Sequence, residues 1–90
     1  MEKHTIDCLS IHTREDLHAQ LAAALSFPEW YGGNLDALHD CLTDIFTDTE
    51  LTLQNFSVIK ERLGDYAARL LLVLHHATEE NPHLTVSLES

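Results

Sequence analysis

Four aspartates, Asp36, Asp40, Asp44 and Asp48, recur at every fourth residue within EWYGGNLDALHDCLTDIFTD, residues 29–48. On a helix that spacing stacks the side chains on one face. Like charges so placed repel by roughly 0.2–0.5 kcal/mol per pair, and Asp is a mediocre helix former. A row with this local cost is expected to serve something outside the helix. Carboxylates in line can hold a metal ion or face cationic groups on another macromolecule.

His39 lies between Asp36 and Asp40 and completes a possible metal set at helical spacing. No HExxH or CxxC pattern supports it. His75 and His76 are adjacent, so on a helix they point about 100° apart and do not easily grip one ion. The sequence holds no GxSxG, no glycine-rich phosphate loop and no basic-aromatic nucleic-acid pattern. Nothing separates the paired carboxylates into acid and base roles. No cofactor is implied, and an enzyme is not supported.

The charge balance points to a protein partner. The chain has 15 acids and 5 bases, a net charge of −10 with histidines neutral. Between Phe27 and Leu53 lie Glu29, Asp36, Asp40, Asp44, Asp48 and Glu50, with no Lys or Arg. Such a field repels nucleic-acid phosphate and attracts a cationic partner. Direct nucleic-acid binding is therefore not expected.

Ninety residues, 44% of them hydrophobic, suit one domain, residues 1–90. No apolar run is long enough to span a membrane, and MEKHTIDC has no signal-peptide character, so a soluble cytoplasmic protein is expected. Cys8 and Cys41 each sit in an apolar stretch and read as small buried hydrophobes rather than a disulfide scaffold.

These residues need elements to position them. HTIDCLSI, residues 4–11, reads as a first strand. Thr13 with Asp16 makes a capping-box-like start to a helix carrying Leu17, Leu21 and Leu25. That helix stops near Ser26, ahead of Pro28. Residues 28–33 form a loop with two glycines, and Asn34 caps a second helix. Leu35, Leu38, Leu42 and Ile45 form its buried stripe, leaving the aspartates mostly off it. LTL, residues 51–53, is a short strand. Phe56, Ile59 and Leu63 mark a third helix ending at Gly64. Asp65 caps a fourth, with Tyr66, Leu70, Val73, Leu74 and Ala77 inside. LTVSL, residues 84–88, alternates as a strand with one buried face. The order β-α-α-β-α-α-β predicts a two-layer α/β fold with a three-stranded parallel sheet and helices on one side.

Trp30 and Tyr31 open two readings: a lid on the core, or contact residues of the kind enriched at interfaces. An acidic helix face, Thr43 and a flanking aromatic together have the character of an electrostatically steered protein binder.

PEWYGGNLDALHDCLT, residues 28–43, closely resembles the central segment of the barstar family, intracellular inhibitors of bacterial ribonucleases such as barnase. Outside it, the resemblance lies in the first strand, the DLH start of the first helix and the last strand. It implies three parallel strands with helices on one face. It also implies that the second helix and its preceding loop plug a ribonuclease active site. Asp36 and Asp40 would meet the cationic groups that hold RNA phosphate, with Asp40 where a phosphate sits. Trp30 would stand for a tyrosine near the catalytic histidine, and Thr43 would add a hydrogen bond. The expected partner-binding set is Trp30, Gly32, Asn34, Asp36, His39, Asp40, Thr43, Asp44 and His76.

This sequence departs from the family pattern at several of these positions. His39 stands where the family has an interface tryptophan, Asp44 where it has a glycine, and Ile45 where it has an aromatic. His76 stands where the family has a contacting glutamate, with Glu79 or Glu80 about one turn on. Inhibition tuned to a different ribonuclease is the implied function. The alternatives are an acidic binding module or immunity protein for another cationic partner, and a small metal enzyme using His39, Asp36 and Asp40.

Overall fold

A computed structural model describes residues 1–90. The elements in chain order are β1 (Glu2–Asp7), a 3-10 turn (Cys8–Ser10), α1 (Arg14–Leu25), α2 (Leu35–Thr43), β2 (Thr49–Gln54), α3 (Phe56–Leu63), α4 (Asp65–Glu80) and β3 (Leu84–Leu88). The strands lie in the order β1-β2-β3 and pair in parallel. Ile6 is registered with Leu53, and Leu51 with Val86. The order β-α-α-β-α-α-β is the one the sequence predicts.

The sheet buries one face. Along β2, Thr49, Leu51 and Leu53 are buried and alternate with half-buried Glu50, Thr52 and Gln54. This is the period of two that puts alternate side chains on opposite faces. Ile6, Leu51 and Leu53 pack into a core with Leu17, Leu21, Leu38, Leu42, Ile59 and Leu70 of the helices. Burial of that apolar stripe, more than intrinsic propensity, holds helices of 8 to 16 residues.

Several boundaries differ from the sequence reading for local reasons. The first strand ends at Asp7, because its Oδ1 accepts from the Leu9 N–H at 3.0 Å and turns the chain. The strand predicted at 51–53 extends over Thr49–Gln54, with Thr49 facing Leu84 across the ladder. α2 ends at Thr43, so Ile45 packs against the core from the segment beyond the helix. α4 has Gly64, at φ 57°, in the capping position, and Asp65 is its first residue rather than its cap. Val73 is half-buried and not inside. α1 stops at Ser26, which adopts the left-handed conformation two residues before Pro28.

Candidate functional site

The loop before α2 and α2 itself are fixed from both ends. At the start, the Asn34 side-chain oxygen accepts from the Ala37 N–H at 2.8 Å, which satisfies one of the helix's free donors. Gly33 takes a positive φ of 66° here, a conformation glycine adopts without a Cβ penalty. At the other end, the Asn81 amide donates to the carbonyls of Leu42 and Ile45 at 2.9 and 2.8 Å. Asn81 follows α4 and is buried. It therefore ties the end of α2 to the end of α4, giving the Leu42 carbonyl a second kind of donor beside the Ile45 N–H at 3.4 Å.

Leu38 and Leu42 are buried beneath α2, and Asp36, Asp40 and Asp44 are exposed on it. Asp36 sits in the first turn, where the helix dipole favours a negative charge; Asp44 is the C-terminal cap, where the dipole opposes it. Asp48 does not extend the row, because the helix has ended. Its Oδ1 lies 3.0 Å from His83 Nδ1, beside β3.

No Lys or Arg neutralises the row. Every ion pair within 4.0 Å in the chain involves a histidine. The Asp40 side chain is 83% exposed, with only His39 Nδ1 near it at 3.9 Å. Asp36 differs, since it lines a notch shared with Arg14 and Arg69. Asp40, with only a histidine at 3.9 Å, and Asp44, with no ion-pair partner, are accordingly the least compensated carboxylates of the row.

His39 turns toward α4. Its Nε2 lies 3.2 Å from Glu80 Oε2, so it links the two helices rather than joining Asp36. His76 is exposed one turn before Glu80 on α4, which puts both on the same helix face. His75 is occupied by Glu79 at 2.6 Å. The Thr43 hydroxyl donates back to the carbonyls of His39 and Asp40 at 3.0 and 3.1 Å, leaving its lone pairs to accept from outside. No three His, Cys, Asp or Glu side chains, the set His39, Asp36 and Asp40 included, converge as a metal set.

The two aromatics of the loop part ways. Trp30 is 79% exposed. Tyr31 turns inward: its hydroxyl lies 2.5 Å from His18 Nδ1, and its ring packs against Phe27, tilted by 52° at 4.9 Å between centroids. The other ring nitrogen of His18, Nε2, is 2.6 Å from the Tyr66 hydroxyl. The Arg14 guanidinium lies 4.5 Å over the Tyr66 ring. Burial lowers the His18 pKa against the opposing pull of Glu15, and burial raises those of Tyr31 and Tyr66. All three groups are held neutral. A neutral imidazole donates through one nitrogen and accepts at the other, so it satisfies both hydroxyls.

The exposed surface thus carries Trp30, Gly32, Asp36, Asp40 and Asp44, with His76 and Glu80 alongside on α4. Asn34 contributes as the cap. The His18 brace and the Asn81 clamp were not foreseen from the sequence. Cys41 is half-buried, and burial with the fields of Asp44 and Asp40 raises its pKa, which suppresses thiolate chemistry.

Comparison with known proteins points the same way. The profile of the family described as "Barstar (barnase inhibitor)" matches residues 1–89. The chain is also similar to the Bacillus subtilis protein named "Putative ribonuclease inhibitor YrdF". The two are 45% identical over 82 residues, covering 89% of each chain.

Proposed function

Because this chain belongs to the barstar family, we propose that it is a protein inhibitor that blocks the active site of a cationic ribonuclease with α2 and the loop before it. The observation that carries this reading is the exposed row Asp36, Asp40 and Asp44 without a single Lys or Arg pair. A ribonuclease holds RNA phosphate with cationic groups, and carboxylates on a rigid helix can take the place of those phosphates. Asp40, at the middle of the row with its side chain 83% exposed, stands for a phosphate. Asp36 supports it, and Trp30 lies flat against the partner beside them. Gly32, Thr43, Asp44, His39 and His76 fill the remainder of the contact.

Rigidity is part of the mechanism. The Asn34 cap, the Asn81 clamp and the His18 brace fix α2 and its loop before the partner arrives, so little ordering cost falls on binding. The net charge of −10 steers a basic partner toward this face. His39 and Asp44 stand at positions where the family pattern differs, which supports a cognate ribonuclease other than barnase. Action inside the producing cell, as for the family, accords with this role.

The test is Asp40→Ala. Leaving partner cations buried without a counterion is expected to weaken binding by on the order of 100-fold or more. Barnase and other small basic bacterial ribonucleases serve as probes. An affinity within a few-fold of wild type would refute the phosphate-mimic reading.

A further inference from the structure

The acidic face of α2 runs out at Asp44 into a cleft that extends beyond the contact proposed for blocking an active site. An open cleft of about 410 Å³ lies between the loop after α1, the end of α2 and the first residues of β1. Trp30, Pro28 and Phe46 form apolar walls, and Glu2 and Asp44 bring carboxylates to the same lining. Trp30 is 79% and Phe46 83% exposed, more than any other large apolar side chain in the chain. Scattered exposed hydrophobics need no explanation, but two aromatics bordering one cleft mark a contact surface.

The Glu2 carboxylate is positioned, not loose. Glu2 Oε2 accepts from the Thr47 hydroxyl at 2.9 Å, and its backbone N–H donates to the Asp48 carbonyl at 2.9 Å. His4 Nε2 lies 3.6 Å from the other Glu2 oxygen. No Lys or Arg lines the cleft. Aromatic walls with two carboxylates and no Lys or Arg match one side chain above all: arginine. Its guanidinium stacks on an aromatic face while its fork of donors meets a carboxylate. Lysine, a compact and strongly hydrated charge, uses the walls less well.

We propose that this cleft receives an arginine side chain of the ribonuclease, from a part of that enzyme outside its catalytic centre. Trp30 and Asp44 belong to both surfaces, so the cleft continues the face already assigned to the active site. The proposal rests on the inhibitor reading for the identity of the partner. The charge complementarity of the cleft is independent of it. Phe46, Glu2 and Asp44 make the cleft a place where one ribonuclease is told from another, since phosphate-binding cations are common to ribonucleases and a distal arginine is not.

Trp30 is the single tryptophan, so its fluorescence reports the cleft directly. N-acetyl-L-arginine methylamide should change that fluorescence in a saturable way, and the neutral N-acetyl-L-citrulline methylamide should act far more weakly. Phe46→Ala, and Glu2→Gln combined with Asp44→Asn, should each raise the half-saturation concentration about fivefold or more. Phe46→Ala should also speed dissociation of a bound basic ribonuclease by a similar factor, with little change in association. Equal responses to the two amides, or no saturable response, would overturn the proposal. Ribonuclease binding that Asp40→Ala weakens but Phe46→Ala leaves untouched would overturn the cleft alone. An arginine response in a protein that binds no ribonuclease would remove the inhibitor reading and keep the guanidinium site.

Discussion

The Tyr31 hydroxyl meets His18 Nδ1 at 2.5 Å and so ties the loop that precedes the acidic helix to α1. Tyr31 sits directly beside the exposed Trp30, so this bond, with the Tyr31 N–H donating to the Pro28 carbonyl at 2.9 Å, holds the backbone that carries the indole. Tyr31→Phe keeps the ring and deletes the hydroxyl, leaving a buried imidazole nitrogen without its partner. The expected cost is about 1–3 kcal/mol of folding stability, read by urea denaturation. Faster dissociation from a ribonuclease should accompany it, because the loop is no longer held.

The same brace makes stability depend on pH. Burial depresses the pKa of His18 in the folded protein below its ordinary value near 6.5. The unfolded chain then binds a proton that the folded chain resists. The stability His18 contributes is fully present above pH 6.5 and is lost as pH falls through the depressed value. Denaturation midpoints between pH 8 and pH 5 should fall less steeply in His18→Gln than in wild type. At the alkaline end the signs reverse. Burial, with the charge of Asp7, pushes the Cys8 thiol up to about 11. Its contribution is complete below the ordinary thiol value and is lost as pH rises toward 11. Cys8→Ala should flatten the alkaline limb.

Asn81→Ala is expected to cost about 2 kcal/mol or more, since it strips a buried clamp from the carbonyls of Leu42 and Ile45. Hydrogen exchange should show the last turn of α2 opening more readily than α1. Uniform loss of protection throughout the chain would deny Asn81 this local role.

Asp44 and Asp48 were alike in the sequence, and the structure separates them. Asp44→Asn should leave stability unchanged or raise it by a few tenths of a kcal/mol, because it removes a charge from the helix C-terminus. Asp48→Ala deletes the carboxylate beside His83 and should instead cost up to about 1 kcal/mol, as exposed pairs do. Chemical denaturation of the two variants side by side decides the matter.

What could be read beforehand follows from range. Asn34, Asp36, Leu38, Asp40 and Leu42 speak to one another within a few residues, and the helix with its acidic face was legible from that spacing. The order of elements was legible too, since each strand and helix carries its own period. The brace and the clamp were not. His18 and Tyr66 are separated by 48 residues, and Asn81 lies 39 from Leu42. No local pattern says that a histidine in a helix start will be buried between two tyrosines. The end of α2 was overrun for the same reason: Ile45 keeps the apolar spacing, but Asn81 takes up its carbonyl.

The most direct measurement is a titration of ribonuclease activity. Increasing amounts of this protein are added to a fixed amount of barnase, and of each of several small basic bacterial ribonucleases, while RNA cleavage is followed. For a cognate enzyme, activity should fall linearly to zero at one equivalent, and Asp40→Ala should restore cleavage. Full-rate cleavage by every enzyme in the presence of excess protein would contradict the account.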